Sequence, residues 1–267
     1  MNDPRNPYAP PSTTVADRDE RPGPDGSDGQ FIPYGRSLPA GRGAAWIGDA
    51  WRLLRARPGL WAAALLLLLV AYMVLSMIPL VNFFVQLLAP FAYAGIALAA
   101  DQQRRTGTFD LKVLVGGFEK NPLSLLAVGG TVLLAGVVFL IVLVIFVGAE
   151  IFGMMRGGGT PDPSVFLNLK FWLAFLIGLA LVLPVGFATY LAPQLIVLND
   201  QPALTAMKMS LVGTAKNILP GLVFGLCTMA LLIASMIPLL LGLLITIPIM
   251  VITNYTVYRD IFIEENP

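Results

Sequence analysis

The sequence predicts an all-α, polytopic membrane protein: six transmembrane helices paired as three hairpins, each hairpin preceded by an interfacial amphipathic helix. Three observations carry this reading. Residues 59–258 hold six apolar runs, each near the roughly 20 residues that a helix rising 1.5 Å per residue needs to cross ~30 Å of hydrocarbon. None of the six has a charge in its middle. The lysines and arginines sort to one side of the spans so defined.

Composition agrees. Of the 267 residues, 57% are hydrophobic and 12% charged, about half the charge of a soluble domain. The net charge of +1 points to no partner class. The single cysteine, Cys227, cannot form an intrachain disulfide and reads as packing. With no histidine and one cysteine, most zinc, haem and copper chemistry is removed. No cofactor or metal is expected.

Residues 1–43 mix Pro, Gly, Asp, Arg and Ser with few aliphatic side chains, and read as a disordered cytoplasmic tail. No apolar run lies near the start, so the first span is expected to direct insertion itself. Residues 44–57 are amphipathic at 100° per residue. Trp46, Ile47, Ala50, Trp51, Leu53 and Leu54 share one side, and Gly48, Asp49, Arg52 and Arg55 the other. Tryptophan with arginine on such a helix suits the headgroup level of a bilayer. Trp46, Trp51, Arg52, Arg55 and Arg57 are therefore the candidates for contact with lipid headgroups.

The membrane domain, 44–262, holds spans at 60–80, 82–101, 123–148, 170–198, 218–237 and 239–258. Residues 149–168 are its sizeable external loop, and 263–267 form a cytoplasmic end. With this layout fifteen of the seventeen Lys and Arg fall on the side of the termini; Arg156 and Lys170 fall opposite. The positive-inside rule then puts both termini in the cytoplasm.

A repeat runs through the chain. Arg57-Pro58-Gly59-Leu60 and Ser76-Met77-Ile78-Pro79-Leu80 are answered by Leu219-Pro220-Gly221-Leu222 and Ser235-Met236-Ile237-Pro238-Leu239. Both second helices close on an aspartate, Asp101 and Asp260. The middle unit is looser, sharing Leu114-Val115-Gly116 and Lys120-Asn121 with Leu211-Val212-Gly213 and Lys216-Asn217. The segments 44–57, 109–120 and 203–216 precede the three hairpins.

Ionisable groups inside spans mark proton and ion paths, and the six cores carry none. No paired acids lie within a span, and without histidine no Ser–His pair exists. An enzyme is not expected; a loop pair of Glu150 with Asp162 is the arrangement that would revive one. Asn82, Gln86, Pro90 and Tyr93 share a face of the second span. With Tyr190, Gln194 and Asn254 they are the candidates for a polar pocket, or for hydrogen bonds between helices. Pro90, Pro193 and Pro248 are candidate helix breaks. Gly221 and Gly225 form a GxxxG match, for close packing within the bundle or in a dimer. The tail carries no continuous basic face, so nucleic acid is not an expected partner. Membrane lipids are, with a membrane-protein partner or a second copy of the chain as further possibilities.

Leu38-Pro39-Ala40-Gly41-Arg42-Gly43-Ala44-Ala45-Trp46, Pro58-Gly59-Leu60-Trp61, Leu191-Ala192-Pro193, Ala206-Met207-Lys208-Met209-Ser210 and Tyr258-Arg259-Asp260-Ile261-Phe262 carry a resemblance over residues 38–262. They resemble the "BPSS-type" uncharacterised inner-membrane proteins of proteobacteria. More loosely, the layout is similar to the YciC-type membrane proteins and to the membrane domain attached to some glycerophosphodiesterases. The resemblance implies a six-span protein of the bacterial inner membrane and brings no catalytic residue. The reading is a non-enzymatic membrane protein that handles or organises lipid or serves a larger complex. The alternative is a channel or transporter for a small uncharged or lipidic solute.

Overall fold

The computed structural model describes residues 29–78, 85–156, 168–237 and 239–265. Asn82, Asp162, Pro79, Pro238, the tail before residue 29 and most of the external loop lie outside them, as do the side chains of Gln86 and Glu150.

The elements are β1 (Gly29–Phe31), α1 (Arg42–Ala56), α2 (Pro58–Ser76), a 3-10 turn (Gln86–Leu88) and α3 (Ala89–Thr106). A second 3-10 turn (Leu111–Val115) and the short α4 (Gly116–Glu119) lead into α5 (Pro122–Arg156). Then come α6 (Leu169–Tyr190), α7 (Ala192–Asn199), α8 (Ala203–Lys216), α9 (Ile218–Met236), α10 (Leu243–Phe262) and β2 (Ile263–Glu265). The described residues are thus mostly helical, with one small antiparallel pair of strands among them.

Among the described residues four segments are long and apolar enough to cross a bilayer: Pro58–Ser76, Pro122–Gly148, Leu169–Asn199 and Ile218–Met236. In the most apolar stretch of each, only 6 to 17% is buried. Leucines such as Leu66, Leu134, Leu176 and Leu226 point outward. Such large exposed apolar faces suit a lipid solvent and would be costly in water.

The runs expected as second and sixth spans behave differently. In α3, Pro90, Phe91, Ala94 to Ala97, Ala99 and Ala100 are buried, and in α10 nearly every residue from Ile252 onward is. These helices form much of the buried interior. α3 lies against α7, α10 and the second 3-10 turn, while α1 lies on α9 and α10. A Cβ on Gly95 would stand 2.1 Å from the Leu114 carbonyl oxygen, so α3 approaches that turn at a distance only glycine permits.

The amphipathic segments also turn inward. The stripe of α1 that is buried is Gly43, Trp46, Ala50 and Leu54, and α8 buries Ala206, Met209, Ser210 and Gly213. Segment 109–120 is only a 3-10 turn and one turn of α-helix. An apolar stripe fits a protein groove as well as a lipid surface, and here neighbouring helices supply the groove.

Pro90 and Pro193 each stand in the first turn of a helix, α3 and α7, where the missing N–H has no partner to lose. They start helices rather than break them. Pro248 does lie inside α10, as Pro184 does inside α6. The break between α6 and α7 at Leu191 is held from α8. Ser210 Oγ donates to the Phe187 carbonyl at 2.6 Å and accepts from the Leu191 N–H at 3.0 Å.

Residues 29–43, read from composition as part of a disordered tail, run as β1, a turn and the first turn of α1. Their order comes from the far end of the chain. β1 pairs antiparallel with β2, Gly29 opposite Glu265 and Phe31 opposite Ile263. Ile32 N–H and Arg36 N–H donate to the carbonyls of Phe262 and Ile261. Local composition cannot reveal partners that distant.

Candidate functional site: an arginine-lined cleft

Among the described residues, many of the side-chain hydrogen bonds that join distant segments gather at one end of the helices. Arg57 Nε donates to the Gly107 carbonyl at 2.9 Å, joining the start of α2 to the end of α3. Lys120 Nζ donates to the Val197 carbonyl at 3.3 Å, joining the approach to α5 with α7. Asn217, between α8 and α9, accepts from Leu38 N–H at 2.9 Å and donates to the Arg36 carbonyl at 2.8 Å. Lys216 Nζ reaches the Gly35 carbonyl at 3.0 Å.

Two aspartates organise this end. Asp260 Oδ2 accepts from Trp46 Nε1 and from Arg42 Nε, both at 2.7 Å. Arg36 donates to the Asp260 backbone carbonyl at 2.8 Å and faces Oδ1 at 3.4 Å. A buried carboxylate with several charge-assisted donors is well satisfied. Asp101 accepts from the Tyr255 hydroxyl at 2.9 Å and from Arg105 Nε at 2.7 Å. Arg104 Nε donates to the same hydroxyl at 3.1 Å. Beside it, Trp61 Nε1 donates to Gln103 Oε1 at 2.7 Å, and Gln103 Nε2 donates to the Leu53 carbonyl at 2.8 Å.

A cleft of about 780 Å³ opens between these groups. The N-terminal segment gives it Arg36 and Leu38; α1 gives Arg42, Asp49, Arg52 and Leu53; α3 gives Arg104. From α10 and β2 come Tyr255, Thr256, Arg259, Asp260 and Ile263. Five guanidinium groups thus face two carboxylates. Its volume lies in the range of small-molecule sites.

Of the headgroup candidates only Arg52 lines this cleft. Trp46 is 2% exposed and hydrogen-bonded to Asp260, so its indole belongs to the core and not to an interface. Trp51 is exposed, as is Arg55. Arg57 is exposed but holds the Gly107 carbonyl. Sequence reasoning missed Arg36, Arg42 and Arg259 as cleft residues. Their signal was present in Asp260, an acid near a helix end for which donors had to exist.

The polar-pocket candidates do not gather in this cleft. Tyr93 is exposed on α3, Tyr190 closes α6 half-buried against the core, and Asn254 is half-buried on α10. Gln194, in the first turn of α7, is 0% exposed, and neither atom of its amide has a hydrogen-bond partner among the described residues. At Gly221 and Gly225 a Cβ would meet nothing within 4 Å among the described residues. Among the described residues no group of His, Cys, Asp and Glu is arranged to hold a metal.

No known protein family, no curated protein and no solved structure matches the chain.

Proposed function

We propose that this is a non-enzymatic integral protein of the bacterial inner membrane that handles or organises lipid. One observation carries the reading: the molecule divides into helices with exposed apolar faces and a polar end holding an open, arginine-rich cleft. A protein that only anchors itself needs basic residues at the surface. It does not need them drawn around a cavity.

In this reading α3 and α10 complete six crossings, and every excursion leaves from and returns to the cytoplasmic side. The hydrogen bonds between Arg57 and Gly107 and between Lys120 and Val197 support it, because each joins the two feet of one out-and-back path, and that between Arg36 and Asp260 joins the two ends of all three. The pairing of β1 with β2 also requires an even number of crossings between residues 31 and 263. Reporter fusions test this directly. Those after Lys112 and Pro267 should read cytoplasmic and those after Pro163 periplasmic; a periplasmic C-terminus overturns the topology.

The functional test is extraction with surrounding lipid in polymer nanodiscs, followed by mass spectrometry of what co-purifies. A lipid enriched well above the bulk membrane is the expected result. A protein in stoichiometric amount, with no enriched lipid, replaces the reading with an accessory-subunit role. A second reading, a path for a small uncharged or lipidic solute, is favoured by the amide of Gln194, buried in α7 with no hydrogen-bond partner among the described residues.

A further inference from the structure

The hairpin of α9 and α10 is too short for the bilayer that α5 crosses. We propose that it thins the membrane beside it and lets polar lipid headgroups pass between the leaflets there, a step that rests on the lipid-handling reading above.

Helix α1 marks where the headgroups begin. Arg42, at its start, donates to Asp260 near the end of α10; Arg57, just past its end, donates to the Gly107 carbonyl beyond α3. α1 therefore lies across the polar end, and its Arg52 and Arg55 are exposed. Such a face belongs at headgroup level. Trp46 of α1 touches both helices of the hairpin. Its ring lies 6.3 Å from that of Phe224, and its carbonyl accepts from Thr256 Oγ1 at 3.1 Å.

Heights follow from the helical rise. From Phe224 to Met236, where α9 ends, the rise is ~18 Å; from Thr256 back to Leu243, where α10 begins, it is ~20 Å. The two helices close on each other at that height. Ser235 Oγ and Thr246 Oγ1 lie 2.6 Å apart, and a Cβ on Gly242 would stand 2.5 Å from Ser235 Cα. The hairpin thus reaches ~20 Å past the headgroups, against ~30 Å of hydrocarbon. In α5, by contrast, the apolar segment Pro122–Gly148 runs 27 residues, or ~40 Å.

The tip makes two opposed demands. Ser235 to Ile247 carry no charge, and Ile237 and Leu239 are 82% and 89% exposed. These side chains call for hydrocarbon. The backbone calls for the opposite. Residues 239–242 form a turn, with Leu239 and Leu240 at φ of 52° and 68°, and an irregular turn facing lipid is not tolerated inside the hydrocarbon. Both demands are met when the far water boundary dips to the tip. Bilayers deform in this way at modest cost per ångström of mismatch. A headgroup crossing beside α9 and α10 then has about a third less hydrocarbon to traverse.

The test reconstitutes the full chain in vesicles holding a fluorescent phosphatidylcholine, with dithionite added outside to bleach the label as it reaches the outer leaflet. In dioleoyl phosphatidylcholine the protein should speed crossing at least tenfold over protein-free vesicles. In dimyristoleoyl phosphatidylcholine, a thinner bilayer nearer the height of the hairpin, the gain over protein-free vesicles should fall below twofold. Two extra apolar turns inserted after Ile233 and two after Ile247 raise the tip ~10 Å and keep the Ser235–Thr246 contact. In dioleoyl vesicles they should remove most of the gain, with thermal unfolding unchanged. No gain in dioleoyl vesicles, equal gains in the two lipids, or a folded lengthened chain that keeps the gain overturns the proposal. If the lengthened chain does not fold, the two lipids decide. The two readings fail separately. A lipid enriched in nanodiscs without faster crossing sinks the thinning and spares lipid handling. Faster crossing beside a stoichiometric protein and no enriched lipid does the reverse.

Discussion

Helices α3 and α10 both carry an aspartate in their last two turns, yet Asp101 and Asp260 do different work. Asp101 keeps its partners close to α3: Arg104 and Arg105 lie on its own helix, and Tyr255 reaches over from α10. Asp260 takes Arg36, Arg42 and Trp46 from the other end of the sequence. The first therefore ties two neighbouring helices. The second ties the N-terminal segment to the C-terminal strand and builds one wall of the cleft. Two similar sequence endings become unequal because only one of them meets Arg36 and Arg42.

That contrast fixes the order in which substitutions should hurt. Asp260→Ala is the most damaging. It leaves Trp46 Nε1 buried without an acceptor and two arginines without their shared carboxylate, a loss of about 3 kcal/mol. Arg36 and Arg42 are 34% and 40% exposed, so water compensates them in part. Thermal unfolding in detergent should show the loss, and limited proteolysis should show early cleavage within residues 29–41. If the segment stays protected, Asp260 is not what holds it.

Gln103→Leu comes next. Its amide connects Trp61 to the Leu53 carbonyl, with the indole 0% exposed, so leucine orphans a donor and an acceptor at once. About 2 kcal/mol is expected. Asp101→Asn should cost about 1 kcal/mol, because asparagine keeps an oxygen for Tyr255 and the arginines lie near solvent. If Asp101→Asn proves as harmful as Asp260→Ala, the two ends are equivalent after all.

Much of this architecture was legible in the sequence, for identifiable reasons. Apolar runs such as 123–148 announce themselves because a lipid-facing helix must be apolar around its whole circumference. The same criterion does not separate α3 and α10 from lipid-facing spans, since a helix buried among other helices is apolar too. Only their polar ends and buried alanines set them apart. Trp46 looked interfacial because a tryptophan beside arginines is common at headgroups. Its true partner is 214 positions away. The cleft was hidden for the same reason. Arg36 and Asp260 are 224 positions apart, and no periodicity connects them. Arg52 alone stood out locally, on the polar face of α1.

The smallest effect is expected at Gln194, and there the sign matters more than the size. Asp260 and Gln103 are buried polar groups with partners, so removing them leaves donors stranded. Gln194 is buried with no partner for either amide atom among the described residues. Burying such an amide already has its cost, so Gln194→Leu, nearly equal in volume, should leave stability unchanged or raise it by about 1 kcal/mol. Flux in proteoliposomes should be unaffected if the residue is only part of the packing between α3 and α7. A variant that folds normally yet loses solute flux would mean that the amide serves something passing through, and the transport reading would then displace lipid handling. A variant that unfolds would mean that a buried water, making the usual two to four bonds, already satisfies the amide. The comparison with Asp260 would then be one between two satisfied groups, differing only in whether protein or water supplies the partner.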